Sequence, residues 1–197
     1  MPFSREKEGL MRLSTTSYLV LGMVALRGPS TPYDLKRATS RSVGYFWNFP
    51  HTQLYSEPER LAASGLLAVD LEDSGRRRKT YSLTPEGRTA LREWLAAPTP
   101  EHFEMRDVAE LKLFFNEAGS PDDVPKLAQE QIRQHEGRIA VYEEMVSRHG
   151  DQDWARPRMI TLELGLEMEH AALRFWTALA AGEIDDLRRE RAERDVR

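Results

Sequence analysis

The chain has 197 residues, 40% of them hydrophobic and 30% charged, and it contains no cysteine. That length supports one large domain or two small ones. The lack of cysteine excludes disulfides, thiolate metal sites and cysteine nucleophiles, and no apolar run approaches the roughly 20 residues that span a bilayer. The opening MPFSREKEGLMRLS has no apolar stretch before a small-residue cleavage site, so no secretory leader is expected and a cytoplasmic location fits. The net charge of −4 is unevenly placed. Residues 1–97 hold 14 Lys and Arg against 10 Asp and Glu, whereas residues 98–197 hold 14 against 22. A basic half joined to an acidic half points to an anionic partner for the first, although small imbalances of this kind are common.

Residues 1–12 are polar. Ser14 is a suitable N-cap for a helix carrying the apolar stretch 18–26, which Gly28-Pro29 stops. Thr31-Pro32-Tyr33-Asp34 places Thr at the N-cap, Pro at the first helical position and an acid at the third, so a short second helix is expected over 32–39. Residues 40–49 form an aromatic-rich loop. A third helix is expected from about 50 to just before Gly65, with Leu54 and Leu61 on one face and Pro58 inside it. Residues 66–71 and 78–83 read as two strands around the turn Glu72-Asp73-Ser74-Gly75. Thr84-Pro85-Glu86 caps a fourth helix, stopped by Pro98 and Pro100.

Helix, short helix, helix, hairpin and helix, in that order, is the winged helix-turn-helix arrangement. A helix of this size fits the major groove of DNA, where base edges are exposed. The hairpin carries four consecutive cations, Arg76, Arg77, Arg78 and Lys79, which suit phosphate neutralisation and counterion release. The same run on its own would read as a solvated basic turn. On the third helix Thr52, Gln53 and Ser56 are polar and point away from the apolar face. Gln53 is the first candidate for base readout, since a glutamine amide pairs with adenine. Lys36 is placed to touch the backbone, and Arg60 to sit at the rim of the DNA surface.

Thr31-Pro32-Tyr33-Asp34-Leu35, Gln53-Leu54-Tyr55, Arg60-Leu61, Gly65-Leu66-Leu67 and the closing segment from Arg78 to Gly87, RKTYSLTPEG, together resemble the PadR-type transcriptional regulators. The resemblance covers about residues 13–97. The later half looks like the long helical domain of the virulence-activator-like branch. The resemblance implies a dimeric winged-helix regulator, usually a repressor and often released by small molecules. It also implies a role for Tyr55, whose hydroxyl would bond a phosphate or whose ring would pack under the helix. Two positions depart from the family pattern. Pro58 stands where Leu is usual, and Gln53 where Thr is frequent.

Residues 105–118 show helical spacing through Val108, Leu111, Phe114 and Phe115. Ser120-Pro121-Asp122-Asp123 starts a long helix running to about His149. Its stripe of Ala128, Ile132, His135, Ile139, Tyr142 and Val146 alternates gaps of four and three, as in a coiled coil. A last long helix over 158–181 presents Met159, Leu162, Leu166, Leu173 and Trp176. The tail, 183–197, is mostly charged. The expected organisation is a winged-helix unit over 13–97, a helical dimerisation unit over 101–182 and the tail, mainly α with one small hairpin. Ile132, Ile139, Tyr142, Leu166 and Leu173 are the candidate contacts between protomers, with packing inside one chain as the alternative.

Trp94, Phe114 and Trp176 are candidate walls of a pocket for a small aromatic or hydrophobic effector, the alternative being ordinary packing. Glu167-x-x-His170 is half of a di-iron helix motif and lacks its other half, so no metal or other cofactor is expected. The expected function is sequence-specific binding of double-stranded operator DNA by a homodimer, without catalysis and without a membrane partner. A winged helix used only as a protein-binding module is the rival.

Overall fold

The computed structural model describes residues 12–47, 49–50, 52–72, 78–186, 189 and 193. The chain divides into two units, 1–101 and 102–197. Three helices open the first unit: α1 (Thr15–Arg27), α2 (Pro32–Ser40) and α3 (Gln53–Ala63). A two-stranded antiparallel hairpin of β1 (Leu67–Leu71) and β2 (Lys79–Leu83) follows, then α4 (Pro85–Ala96). The second unit contains α5 (Val108–Phe114), α6 (Asp123–His149) and α7 (Arg156–Ala181). A single 3-10 turn, Val43–Tyr45, interrupts the loop before α3, and another, Asn116–Ala118, follows α5.

The caps explain where the first helices begin. The Ser14 side chain accepts from the Ser17 N–H, and the Ser17 hydroxyl accepts from the Ser14 N–H at 2.8 Å. Thr31 and Asp34 form the same reciprocal box at α2, with Pro32 at the first helical position. Gly28 and Gly65 end their helices with φ of 79° and 77°, a region open to glycine without strain. The core gathers Val20, Leu21 and Val24 from α1, Leu35 from α2, Leu54 and Leu61 from α3, and Leu67 and Tyr81 from the hairpin. Pro58 is fully buried in α3, which runs unbroken through it.

The segment from Tyr81 to Gly87 locks the hairpin to α4. Tyr81 exchanges two backbone hydrogen bonds with Ser30, at 2.9 and 3.0 Å, so the link between α1 and α2 holds the outer edge of β2. The Thr84 hydroxyl donates to the carbonyls of Gly65 and Leu66 and accepts from the Gly87 N–H. Gly87 itself lies against the Leu66 carbonyl, where a Cβ would sit only 2.1 Å from the oxygen.

Two expectations are corrected. The third helix begins at Gln53, not near residue 50, because the Pro50 carbonyl is used in a preceding turn and accepts from the Gln53 N–H. The helix expected over 105–118 is α5 followed by a 3-10 turn, since the Asp107 carboxylate accepts from the Ala109 N–H at 2.8 Å and caps it there. Part of the stripe on α6 packs within the chain. Ile139 and Tyr142 are buried and Ile132 half-buried, α6 packs along α7, and the Tyr142 ring lies over Gly165. Leu166 and Leu173 are half-buried on α7. Ile139 and Tyr142 are thus buried within the chain, whereas Ile132, Leu166 and Leu173 keep part of their surface. The apolar residues that α7 leaves exposed form another stripe: Ile160, Leu164, Met168 and Phe175.

Candidate nucleic-acid interface

The exposed face of α3 carries Thr52, Gln53, Tyr55 and Ser56, with Leu54, Glu57, Pro58 and Leu61 turned inward. This division follows from helical periodicity, since residues three and four apart share a face. Gln53 is not free in solvent: its Oε1 accepts from the Thr16 hydroxyl of α1 at 2.9 Å. Tyr55 is 48% exposed and so leaves the phosphate-bonding role open.

Arg60, expected at the rim of the surface, turns Nε and Nη2 inward while its side chain stays 38% exposed. It makes two hydrogen bonds to the Glu57 carboxylate, at 2.5 and 2.8 Å, and one to the buried Ser17 hydroxyl at 2.9 Å. Burial pushes the Glu57 carboxyl up, but the bonds from Arg60 and Ser17 and the guanidinium charge outweigh it and hold the group below its usual range. Its side chain is only 11% exposed, so this pair positions α3 on α1. An arginine three residues after a glutamate is legible in sequence. Its bond to a serine 43 residues away is not.

At the hairpin, Lys79 forms an ion pair with Glu59 of α3, and that bond raises the lysine further above its ordinary range. The pair fastens the start of β2 to the exposed side of the helix. Arg78 is exposed. Asp34 is held below the usual carboxylate range first by the Thr31 hydroxyl and N–H, then by the charges of Arg78 and Arg27. Thr31, Pro32, Tyr33, Asp34, Arg78 and Lys79 line one open depression, where the start of α2 meets the base of the hairpin. Lys36 is half-buried on α2. Arg76 and Arg77, with 73–75, lie outside the described residues, as does part of the charged tail.

Replacing Glu59 with Gln is expected to release Lys79 toward phosphate. Affinity for random duplex should rise, and the slope of log K against log salt should steepen by about one unit. Titration at several salt concentrations checks this, and an unchanged slope would keep Lys79 as a purely structural residue.

The aromatic candidates separate. Trp94 on α4 is stacked on Tyr18 of α1, with ring centroids 4.7 Å apart and planes 8° apart. Phe114 is exposed and packs edge-on against Phe115. Trp176 is buried beside Ala109 and Ala128 in the core of the second unit. Among the described residues, no group of three or more His, Cys, Asp and Glu is arranged to hold a metal, and no helix is long and apolar enough to cross a membrane.

Residues 20–93 match the transcriptional regulator PadR-like family, and residues 105–193 match the virulence activator alpha C-terminal domain. The negative transcriptional regulator PadR of Bacillus subtilis is 26% identical over 125 residues, covering 62% of this chain and 68% of that protein. The crystal structure of B. subtilis PadR in complex with operator DNA is similar over 86% of this chain and 99% of that one, with a TM-score of 0.77 and 21% identity. Its complex with p-coumaric acid is similar over 88% and 99%, with a TM-score of 0.70 and 21% identity. The virulence activator AphA of Vibrio cholerae is 27% identical, with a TM-score of 0.66 over 84% of this chain and 96% of that one.

Proposed function

Because this chain belongs to the PadR-like family of transcriptional regulators, we propose that it is a repressor that binds a near-palindromic operator as a homodimer. It acts in the cytoplasm, where promoter DNA is, and occupation of that DNA blocks transcription. The observation that carries this reading is the polar exposed row of α3 beside a hairpin with a cationic base. Thr52, Gln53, Tyr55 and Ser56 would meet base edges and phosphates. Arg76, Arg77 and Arg78 would supply sequence-independent affinity, and Lys36 would touch the backbone. Arg60 would sit at the rim of the contact set, with Nε and Nη2 holding Glu57 and Ser17.

The division of roles is tested with two variants on an operator and on a random duplex. Gln53→Ala is expected to weaken operator binding by about 1–3 kcal/mol and random binding little. Alanines at Arg76, Arg77 and Arg78 are expected to weaken both alike and to reduce the salt slope by about two to three units. Tolerance of the hairpin variant, together with salt-insensitive binding, would favour the protein-interaction module.

Two chains would place two recognition helices on successive half-sites. The exposed α7 stripe supports a homodimer through that helix, because Ile160, Leu164 and Met168 recur every four residues on one face. Leu164→Glu is therefore expected to give a folded monomer in light scattering, with operator affinity reduced at least tenfold by loss of the second half-site. A dimer that survives this change would place the interface elsewhere.

A small aromatic or hydrophobic effector is proposed to release the DNA. The support is that B. subtilis PadR has a complex with p-coumaric acid. Trp94 is the candidate in the first unit and Phe114 in the second. The burial of Trp176 favours packing over ligand contact there.

A further inference from the structure

The short helix α5 is apolar on both of its sides. Ala109 and Leu113 pack inward with Ala128 and Trp176. Val108 and Leu111, with Phe115 just beyond the helix end, are spaced three and four residues apart on the opposite side. With Phe103 and Met105 of the preceding segment, these residues are 57–76% exposed. The helix itself carries one acid and one base, Glu110 and Lys112, so two copies of it would not repel each other. A helix that is hydrophobic all round belongs in an interior. An exposed apolar patch rich in aromatic residues and methionine marks a contact surface.

The patch continues the exposed stripe of α7. Ala172 and Leu179 pack against the core that holds α5. They lie three and four residues from Phe175, the last member of the stripe, and so share its side of the helix. Phe175 also meets Trp176 edge-on, with ring centroids 5.2 Å apart.

Area decides what covers this surface. Ile160, Leu164, Met168 and Phe175 are 37–73% exposed, which at roughly 200 Å² for a fully exposed large residue offers about 430 Å² per chain. A permanent homodimer buries about 1,000 Å² or more on each partner, roughly two thirds of it apolar. The α7 stripe alone falls short of that apolar share by about a third, whereas stripe and α5 patch together reach about 1,000 Å². We propose that the outer side of α5 is the second half of the homodimer interface, covered by another copy of this chain. This inference rests on the reading of the chain as a dimer through α7.

The chain has no cysteine, so Leu111→Cys supplies a single thiol on a side chain that one copy leaves more than half exposed. The full chain is compared as wild type, Leu111→Cys, Leu111→Cys with Leu164→Glu, and Leu111→Glu. Sedimentation equilibrium gives the association state, and reaction with N-ethylmaleimide reads the thiol. The Leu111→Cys dimer is expected to react about tenfold more slowly, or less, than the same protein diluted to monomer. In the Leu164→Glu background the thiol should react fast at every concentration. Leu111→Glu is expected to raise the dimer dissociation constant about a hundredfold or more, since a symmetric interface meets the change twice. The circular dichroism and melting of its monomer should match those of diluted wild type. A thiol that reacts equally fast in dimer and monomer, or a Leu111→Glu dimer as tight as wild type, would overturn the proposal and leave the α7 dimer standing. A thiol that stays slow at every dilution and in the Leu164→Glu background would show that its own chain covers the patch, which also overturns it. A wild type that is monomeric at all concentrations would be the failure of the dimer reading itself.

Discussion

Gly87→Ala is expected to destabilise the winged-helix unit by about 3 kcal/mol or more and to lower its melting temperature by roughly 10 °C or more. The added Cβ would lie 2.1 Å from the Leu66 carbonyl oxygen, 3.0 Å from its carbon and 3.1 Å from a Leu83 methyl. The carbonyl cannot easily yield, because it accepts from the Thr84 hydroxyl at 2.9 Å and from the Thr84 N–H. The helix end cannot easily yield either, because the Gly87 N–H is tied to Thr84 at 3.0 Å. Alanine gains about 1 kcal/mol in helix propensity, well short of the cost of separating two backbones by about an ångström. Gly137 on α6 provides the contrast. A Cβ there meets nothing within 4 Å, so Gly137→Ala should be stabilising by up to about 1 kcal/mol. A Gly87→Ala protein that melts at or above the wild-type temperature would show that α4 does not approach the strand this closely.

Arg60→Ala is expected to cost about 2 kcal/mol at neutral pH, with a pH dependence that separates an internal pair from a DNA contact. The variant leaves the Glu57 carboxylate buried with one partner fewer, the situation in which breaking a pair costs most. The guanidinium is partly solvated, with 38% side-chain exposure, which keeps the figure below that of a fully buried pair. In the wild type Glu57 is held below its unfolded value. Its contribution is therefore present above about pH 4.3 and is lost as pH falls through the folded value. Without Arg60, burial is left opposed only by Ser17 and raises the group instead, so acid relieves the variant. The gap between wild type and variant in urea denaturation should be wide at pH 7 and shrink as pH falls below about 4.3. A gap independent of pH would contradict the pair.

Local chemistry carried much of the fold into the sequence. Ser14, Thr31 and Thr84 each cap the helix expected of them, because an N-cap acts within three residues of itself. The alternation of residues around 66–83 revealed the hairpin for the same reason. The start of α5 was legible but overlooked: Asp107 is the only Ser, Thr, Asn or Asp between 101 and 107, and it caps the helix. The α6 stripe showed its period but not its partner, since a seam looks the same from within a chain or between chains. At the interface, the polar face of α3 follows from its periodicity, whereas Thr16, Ser17 and Glu59 do not. Their partners Gln53, Arg60 and Lys79 are remote in sequence, so only the packing of α1 and the hairpin on α3 brings them together.

Two copies of this chain are expected to read an inverted DNA repeat through α3. Selection of bound fragments from a random duplex library by the full-length protein, followed by titration of the enriched duplex at low and moderate salt, tests it most directly. The expected product is an inverted repeat with half-sites about 10 base pairs apart from centre to centre, bound by two chains. Its affinity is expected to fall steeply with salt. A library that emerges without enrichment, with binding indifferent to salt, would contradict it.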